Sequence, residues 1–511
     1  MDNSPPTASI HILDDYSLLN SFYLYRPAIF DGDDDSSDRV RGGKKWSREE
    51  WWYKLAHVCQ RWRNLILGSA SYLGLCLVCT DGTPVSDMLA HSPPLPLIID
   101  YDGEGYDVTV EDEEGIVLAL EQCDRIRRIR LFMPASRLEK LLLLMAIYEE
   151  YPILEYMIIE PSMDEDRALT LPETLQAPNL HHLALYGFVF PTGSRLPTTA
   201  IGLVTFYLYI KPPFTDFRPT VLLQWLSSMP QLETLVVYFS DGIPNRDVER
   251  KLMRTSITTQ VTLPNLRRFL FQGGTAYLEA LVCRITAPSL EELGIYFFQQ
   301  LTFSVPHLLQ FINTTENSRF GGATFRFLEG SIIADVFFHG EAEFSLSIVV
   351  LSWNLDWQVS SIAQISDSLS QKFPVVEHLA FEHDVHDRSS EEHNEVDRTE
   401  WRKLLGSFSK VKTLHIDHGL VGELSRILRP DSEELPLELL PELQELTVTG
   451  SDDISDAFTP FIDARQNAGH PVTLARSPGV SNSSSSSASV TTSLSSEATV
   501  LEQGTTHTQA N

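Results

Sequence analysis

The chain has 511 residues, 39 of them basic and 69 acidic, for a formal net charge of -30, and 43% are hydrophobic. So acidic a chain argues against nucleic acid or an anionic membrane as partner, since both require concentrated Lys and Arg. The apolar share is enough to bury a large core, which excludes wholesale disorder, and the length allows either several domains or one elongated repeat array.

Five cysteines, Cys59, Cys76, Cys79, Cys123 and Cys283, are sparse and odd in number. Such usage fits reduced thiols in the cytoplasm or nucleus. Cys76 and Cys79 have metal-pair spacing, but no second pair follows, and LCLVC reads better as a buried strand. The N-terminus shows no basic, apolar leader pattern, so no secretory signal is expected. No stretch approaches the roughly 20 apolar residues of a membrane span.

In chain order, residues 1–9 are rich in Pro, Ser and Thr and are expected to fray. IHILDDYSLLNSFYLY follows. Asp14 or Asp15 can cap a helix there, with Leu18, Leu19 and Phe22 on its apolar face and Pro27 near its end. Residues 31–48 form a polar insertion, acidic then basic. Its Asp31, Asp33 and Asp35 open like a calcium loop, but Ser36 and Gly42 stand where glycine and an acidic ligand are needed. The periodicity of Trp51 to Ile66 predicts one helix, with Leu55, Val58, Cys59, Trp62 and Ile66 on a single face and Lys54, Arg61 and Arg63 on a solvated rim. Trp51 and Trp52 read as packing. A turn at Gly68–Ser71, a strand at Leu73–Val78, a helix at Thr83–Leu89 and a strand at Leu95–Tyr101 come next.

From about residue 115 one pattern recurs: proline, one residue, an apolar residue, and two further apolar residues three and five positions on. Pro152 and Leu154 lead to Met157 and Ile159, Pro178 and Leu180 to Leu183 and Leu185, Pro230 and Leu232 to Leu235 and Val237. Pro264 and Leu266 lead to Phe269 and Phe271, Pro288 and Leu290 to Leu293 and Ile295. Pro374 and Val376 lead to Leu379 and Phe381, Pro441 and Leu443 to Leu446 and Val448. Copies without proline sit at Ile126/Ile129/Leu131, Leu203/Phe206/Leu208 and Val411/Leu414/Ile416. The last two apolar residues alternate, so they share the inward face of a short strand. The proline marks where the chain leaves the preceding element. Helices are expected between these strands at Ser136–Glu150, Thr220–Ser228, Ala276–Ile285, Val305–Ile312, Ile362–Phe373 and Arg398–Phe408. One strand–helix unit cannot bury its own apolar face, so neighbours must stack. At a spacing of roughly 23–35 residues this is the leucine-rich-repeat plan. Residues 296–373 resist phasing, with strands expected around Phe325–Phe327, Asp335–Phe338 and Leu346–Leu351. A helix at Ala457–Asn467 and a strand at Val472–Leu474 close the array. The Ser/Thr-rich remainder is expected to be a disordered tail.

No phosphate loop, nucleophile elbow or zinc-helix motif is present. His383, His386 and His393 lie among acids in a polar loop, and His415 and His418 flank Asp417 in another; both read as solvated loops. No cofactor, metal or catalytic group is expected.

Ile12 to Asp15, Leu18, Leu19 and Phe22, followed by Leu55, Val58, Cys59, Trp62 and Ile66 in LAHVCQRWRNLI, resemble an F-box. From Ile10 to Leu474 the chain is similar to the F-box-like leucine-rich-repeat proteins of mushroom-forming (basidiomycete) fungi. LVCTDGTPVSDML, LPLIIDY and the P-x-L-x-x-L repeats carry that likeness. The resemblance implies an α/β chain: an F-box-like helical module over 10–72, an irregular leucine-rich-repeat solenoid over 73–475 and a tail over 476–511. It implies a substrate receptor without catalytic residues. The box would dock on a Skp-type adaptor of a cullin–RING ubiquitin ligase through Leu13, Leu18, Leu19, Phe22, Leu55, Val58, Cys59, Trp62 and Ile66, while the repeats hold a substrate protein. Asp14 stands where the box proline would fall, and 31–48 interrupts the usual box. A repeat scaffold with a degenerate box and no ligase role is the alternative. Strand residues between the apolar ones, such as Glu291, Glu292 and Gly294 or Gln444, Glu445 and Thr447, would face the substrate. The acidic balance points to a basic partner surface or simply to solubility.

Overall fold

A computed structural model describes residues 13–26, 51–102, 108–162, 168–191, 193–211, 217–240, 259–298, 300, 302–314, 320–338, 345–369, 375–384, 398–429, 439–449 and 456–477. The expected N-terminal fraying, the 31–48 insertion, Pro27, Pro374, His386, His393 and the Ser-rich tail from residue 478 on lie outside them. The chain divides into two compact units, Met1–Val78 with Asp87–Ile98 and Val480–Asn511, and Cys79–Ser86 with Ile99–Gly479.

The described residues of the first unit include helices α1 (Asp15–Tyr25), α2 (Trp51–Ala56), α3 (Gln60–Gly68) and α4 (Ala70–Leu73). Asp14 caps α1: its carboxylate accepts from the Ser17 N–H at 2.8 Å and the Ser17 hydroxyl at 3.0 Å. These bonds hold its pKa below the ordinary value.

The single helix expected over Trp51–Ile66 is two helices. Cys59 is extended (φ -161°, ψ 168°) and opens α3 as its N-cap residue. The break is stabilised by Arg63, whose Nε donates to the Ala56 carbonyl at 3.1 Å. In an unbroken helix that oxygen would accept from Gln60. The five-residue stripe therefore does not share one helical face. Arg61 is also structural, reaching Asp15 Oδ1 at 2.7 Å and the Leu13 carbonyl at 2.6 Å, so it ties α3 to the start of α1. Trp51 and Trp52 are buried, and the Trp52 indole donates to the Cys76 carbonyl at 3.3 Å. The strand expected at Leu73–Val78 is shorter. Leu73 ends α4, Gly74 takes the left-handed conformation (φ 63°) that closes it, and β1 is Leu77–Cys79. The strand after it, β2, is Leu97–Asp102.

In the second unit the recurrent pattern becomes strands. These are β3 (Ile126–Met133), β4 (Tyr156–Pro161), β5 (Leu169–Thr170), β6 (His182–Tyr186), β7 (Phe188–Val189), β8 (Thr205–Ile210) and β9 (Thr234–Phe239). They continue with β10 (Val261–Thr262), β11 (Arg268–Gly273), β12 (Ile285–Thr286), β13 (Glu292–Phe297), β14 (Phe320–Leu328), β15 (Ser331–Phe338) and β16 (Ser345–Leu351). β17 (His378–Asp384), β18 (Thr413–Ile416), β19 (Glu445–Thr449) and β20 (Thr473–Ser477) complete the set. From β3 onward the main sheet runs β3-β4-β6-β8-β9-β11-β13-β16-β15-β14-β17-β18-β19-β20. Its pairings are parallel except the two made by β15. The alternating positions, among them Leu183, Leu185, Leu235, Val237, Phe269, Phe271, Leu293 and Ile295, are fully buried. Helices intervene near their expected places, at Ala135–Tyr148, Pro219–Leu226, Thr275–Val282, Pro306–Thr314, Leu355–Ser368 and Arg398–Gly406.

Among the described residues, the proline of a copy does more than end the preceding element. It occupies the second place of a four-residue turn closed by the following leucine. The N–H of Leu154 donates to Tyr151, Leu180 to Ala177, Leu232 to Met229, Leu266 to Leu263 and Leu443 to Leu440, all at 3.1–3.3 Å. Proline's fixed φ suits that position. The residue after the proline then ties one turn to the turn before it. Asn179 donates to the Pro152 carbonyl at 2.6 Å, Asn265 to Pro230 at 3.3 Å and Ser289 to Pro264 at 2.7 Å. At several copies the carbonyl just ahead of the strand accepts two N–H groups from the next copy. Glu155 receives His181 and His182, His181 receives Val204 and Thr205, Val204 receives Glu233 and Thr234, and Glu233 receives Arg267 and Arg268.

Residues 296–373 defied phasing because the copy there is rearranged. β14 and β15 form a hairpin turning at Gly330 (φ 90°), and β16 returns to pair with β13, while β14 pairs onward with β17. The closing helix, Thr459–Asn467, buries Arg465, which donates to the carbonyls of Leu440, Pro441 and Leu443 at 3.0–3.2 Å.

Leu266→Ala should lower stability by about 2–5 kcal/mol, the usual cost of emptying a leucine-sized core site. Asn265→Ala, at an exposed turn, should lower it by at most about 1 kcal/mol. Urea melts of both variants check the order, and equal losses would refute the account of the turn.

Candidate interaction surfaces

The nine residues expected to face an adaptor separate into three groups. Leu18, Phe22 and Ile66 are buried within the unit. Leu19, Leu55, Cys59 and Trp62 are half-buried. The Trp62 ring meets Phe22 edge-on at 4.8 Å, so it belongs to the seam between α1 and α3. Leu13 and Val58 are exposed, at 42% and 57%. The exposed face of α1 carries residues the sequence reading missed, namely Tyr16 (74% exposed), Tyr23 and Leu24 (82%). Beside it, Tyr72 packs on Tyr23 at 5.3 Å and donates its hydroxyl to Asn20 at 3.2 Å. The signal was available in DYSLLNSFYLY, where Tyr16, Tyr23 and Leu24 fall off the stripe of Leu18 and Phe22. Such a helix has a second face to cover once the first has entered a core.

The second surface is the sheet face opposite the buried strand positions. Across β6, β8, β9, β11 and β13 one register row reads Tyr186, Tyr209, Tyr238, Gln272, Tyr296. All five side chains are half-buried. The Tyr186 and Tyr209 rings lie 6.3 Å apart, and Tyr238 leans past Gln272 to reach Tyr296 at 6.2 Å. A second aromatic run starts at Arg128, which covers the Tyr156 ring at 4.6 Å. Tyr156 stacks on His182 at 4.3 Å, and His182 meets Tyr207 at 5.8 Å. In the adjoining register row, Ala184 on one side of Tyr207 and Val236 and Leu270 on the other are buried as an apolar floor. At Gly294 the backbone leaves room for Leu270, whose Cδ2 lies 2.5 Å from where a Cβ would stand. The charges bordering this face are matched in register. Arg268 pairs with Glu292 at 3.0 Å, Arg267 with Glu291 at 3.2 Å and Arg127 with Glu155 at 2.8 Å.

Further along, the same face becomes polar. Ser347 on β16 donates to Asp335 on β15 at 2.7 Å. Arg326 on β14 lies 3.7 Å from Asp335 and 3.0 Å from Glu382 on β17. Burial raises the pKa of Asp335, and Glu382 adds to the rise, while Ser347 and Arg326 work against it.

His418, beside Asp417, is held rather than loose. The Asp417 carboxylate accepts from the His418 N–H at 2.7 Å and the Thr449 hydroxyl at 2.6 Å, with His418 Nδ1 at 2.8 Å. Those bonds, against the opposing effect of burial, keep its pKa low. Gln444 and Glu445 lie at the opposite, leading end of β19, where the Gln444 N–H donates to the Lys412 carbonyl at 2.8 Å. Among the described residues no group of three His, Cys, Asp or Glu is placed to hold a metal ion, and no helix is long and apolar enough to cross a membrane. Cys76 and Cys79 are buried, and burial pushes the Cys79 thiol up to about 12, well away from a reactive thiolate.

No family model matches the sequence, and no curated protein matches it. Among solved structures, the leucine-rich repeat-containing protein LegL7 from Legionella pneumophila aligns with 76% of this chain and 97% of its own, at 11% identity and a TM-score of 0.25. The second unit is a mixed α/β array with a large, mostly parallel sheet and many helices, of the kind seen in leucine-rich-repeat proteins. That description rests on its strand register and repeated turns, not on the match.

The Asp335 pKa is raised on folding, so its contribution to stability is present below the unfolded value of about 3.9 and lost as pH rises through the folded one. Asp335→Asn, which carries no charge at any pH, should therefore gain on the natural protein between about pH 4 and pH 7. Urea midpoints at both pH values measure this, and a pH-independent difference would contradict it.

Proposed function

We propose that the chain is the substrate-recognition subunit of a Skp–cullin–F-box ubiquitin ligase. Its N-terminal helices would dock on a Skp-type adaptor, and its sheet face would hold the substrate protein. The observation that carries this reading is α1, whose Leu18 and Phe22 fill the unit's own core while Tyr16, Tyr23 and Leu24 remain outside. An apolar helix face with aromatic anchors is the kind of surface on which binding energy concentrates. The second unit is an array whose sheet face opposite the buried positions is aromatic in one half and polar in the other, which suits protein recognition. The chain supplies no catalytic residue; it raises the concentration of substrate beside the transfer machinery, in the cytoplasm or nucleus.

A second reading, a repeat scaffold without a ligase role, is favoured by the burial of Leu18, Phe22 and Ile66, which leaves those expected contacts unable to reach an adaptor.

Co-purification with a Skp-type adaptor separates the two. Tyr16→Asp combined with Leu24→Asp, at exposed positions, should abolish the complex and leave the melting temperature unchanged. Trp62→Ala should weaken folding as well as docking, because it removes the partner of Phe22. Undiminished adaptor binding by the double variant would reject this docking face, and no binding by the natural chain would favour the scaffold.

A further inference from the structure

Four of the five places in the row from β6 to β13 are tyrosine, and the row crosses five adjacent strands. At the ~4.8 Å spacing of paired strands it is about 19 Å long, the length of roughly six extended residues. The register row beside it is apolar at Ala184, Val236 and Leu270, which are buried. Arg267 and Arg268 beside it each face a carboxylate within 3.2 Å, so the neighbouring cations are matched locally. A tyrosine ring offers a negative face to a cation, and arginine, being planar and weakly hydrated, stacks there best. The chain contains an example of this chemistry on the same sheet face: the Arg128 guanidinium lies 4.6 Å from the centre of the Tyr156 ring. The whole molecule carries a formal charge of -30, which draws in positively charged partners from a distance.

We propose that the row formed by Tyr186, Tyr209, Tyr238 and Tyr296 binds an extended, arginine-bearing segment of a partner protein, with guanidinium groups laid on the tyrosine rings. The proposal rests on the reading of this sheet face as the substrate-holding surface, and it names the substrate's chemistry. The overall negative charge supplies encounter, while the rings supply the preference for arginine over lysine.

Fluorescence anisotropy with the full-length chain tests this, using four labelled peptides in which serine alternates with arginine, lysine, glutamate or leucine. The arginine peptide should bind tightest, the lysine peptide several-fold more weakly, and the glutamate peptide not at all. Tyr209→Ala with Tyr238→Ala should weaken the arginine peptide about tenfold, whereas Tyr209→Phe with Tyr238→Phe should keep it, since the ring face remains. Circular dichroism melts of both pairs establish that they fold. The proposal is overturned by tightest binding of the leucine or glutamate peptide, or by arginine and lysine peptides of equal strength. It is overturned equally by an arginine peptide indifferent to loss of the rings, which would be attraction by net charge alone, or by Phe variants that lose as much as the Ala variants. The assay contains no adaptor, so failure of the ligase reading in co-purification and failure here are separate results.

Discussion

Most of the array depends on one recurring main-chain atom, the carbonyl oxygen just ahead of a strand. A carbonyl has two lone pairs, and this one gives both to consecutive N–H groups of the next copy, as Glu233 does to Arg267 and Arg268. The two bonds fix where the following strand starts and in which direction it runs. The ladder of β9, β11 and β13 then falls into register without a gap. Inward leucines and phenylalanines align as a consequence, and so do the outward tyrosines. The aromatic row on the opposite face is thus a product of the same constraint that builds the core.

Much of this was legible in the sequence because the repeat is written in residues with one physical meaning. Proline at the second place of a turn, leucine closing it and alternating apolar residues after it located β4, β6, β9, β11, β13 and β19 from spacing alone. Copies without proline were legible too. Leu203 bonds back to Ala200 at 3.2 Å as the proline copies do, with Ile201 in the proline's place. What spacing could not reveal was a change of strand order. The alternation in β14 and β15 fixes which side chains point inward, yet carries nothing about which strand lies beside which. A hairpin inserted into a parallel sheet leaves the local pattern intact.

The N-terminal helices show the opposite case. Periodicity suggested one continuous stripe from Leu55 to Ile66, but a helical period counts only main-chain turns. It is blind to a side chain such as Arg63, which takes the Ala56 carbonyl and makes the break stable. The same blindness misplaced Arg61, which read as a solvated rim and in fact fastens α3 to the first turn of α1. Asp14 sits where a proline would have preset the helix start. It reaches a similar end by another route, offering its carboxylate to the Ser17 N–H and hydroxyl.

The rearranged copy at β14–β16 bears on how the array comes together. In a stacked repeat each unit meets only its sequence neighbours, and order can spread from any point along the chain. Here β13 must wait for β16, and β14 must find β17, with a whole hairpin intervening in each case. Both closures are long-range, and such contacts slow assembly because more chain has to be confined before they form. The meander is therefore a seam in time as well as in sequence: repeats on either side can zip independently, and the transition becomes a single cooperative event only when β15 is in place between β14 and β16.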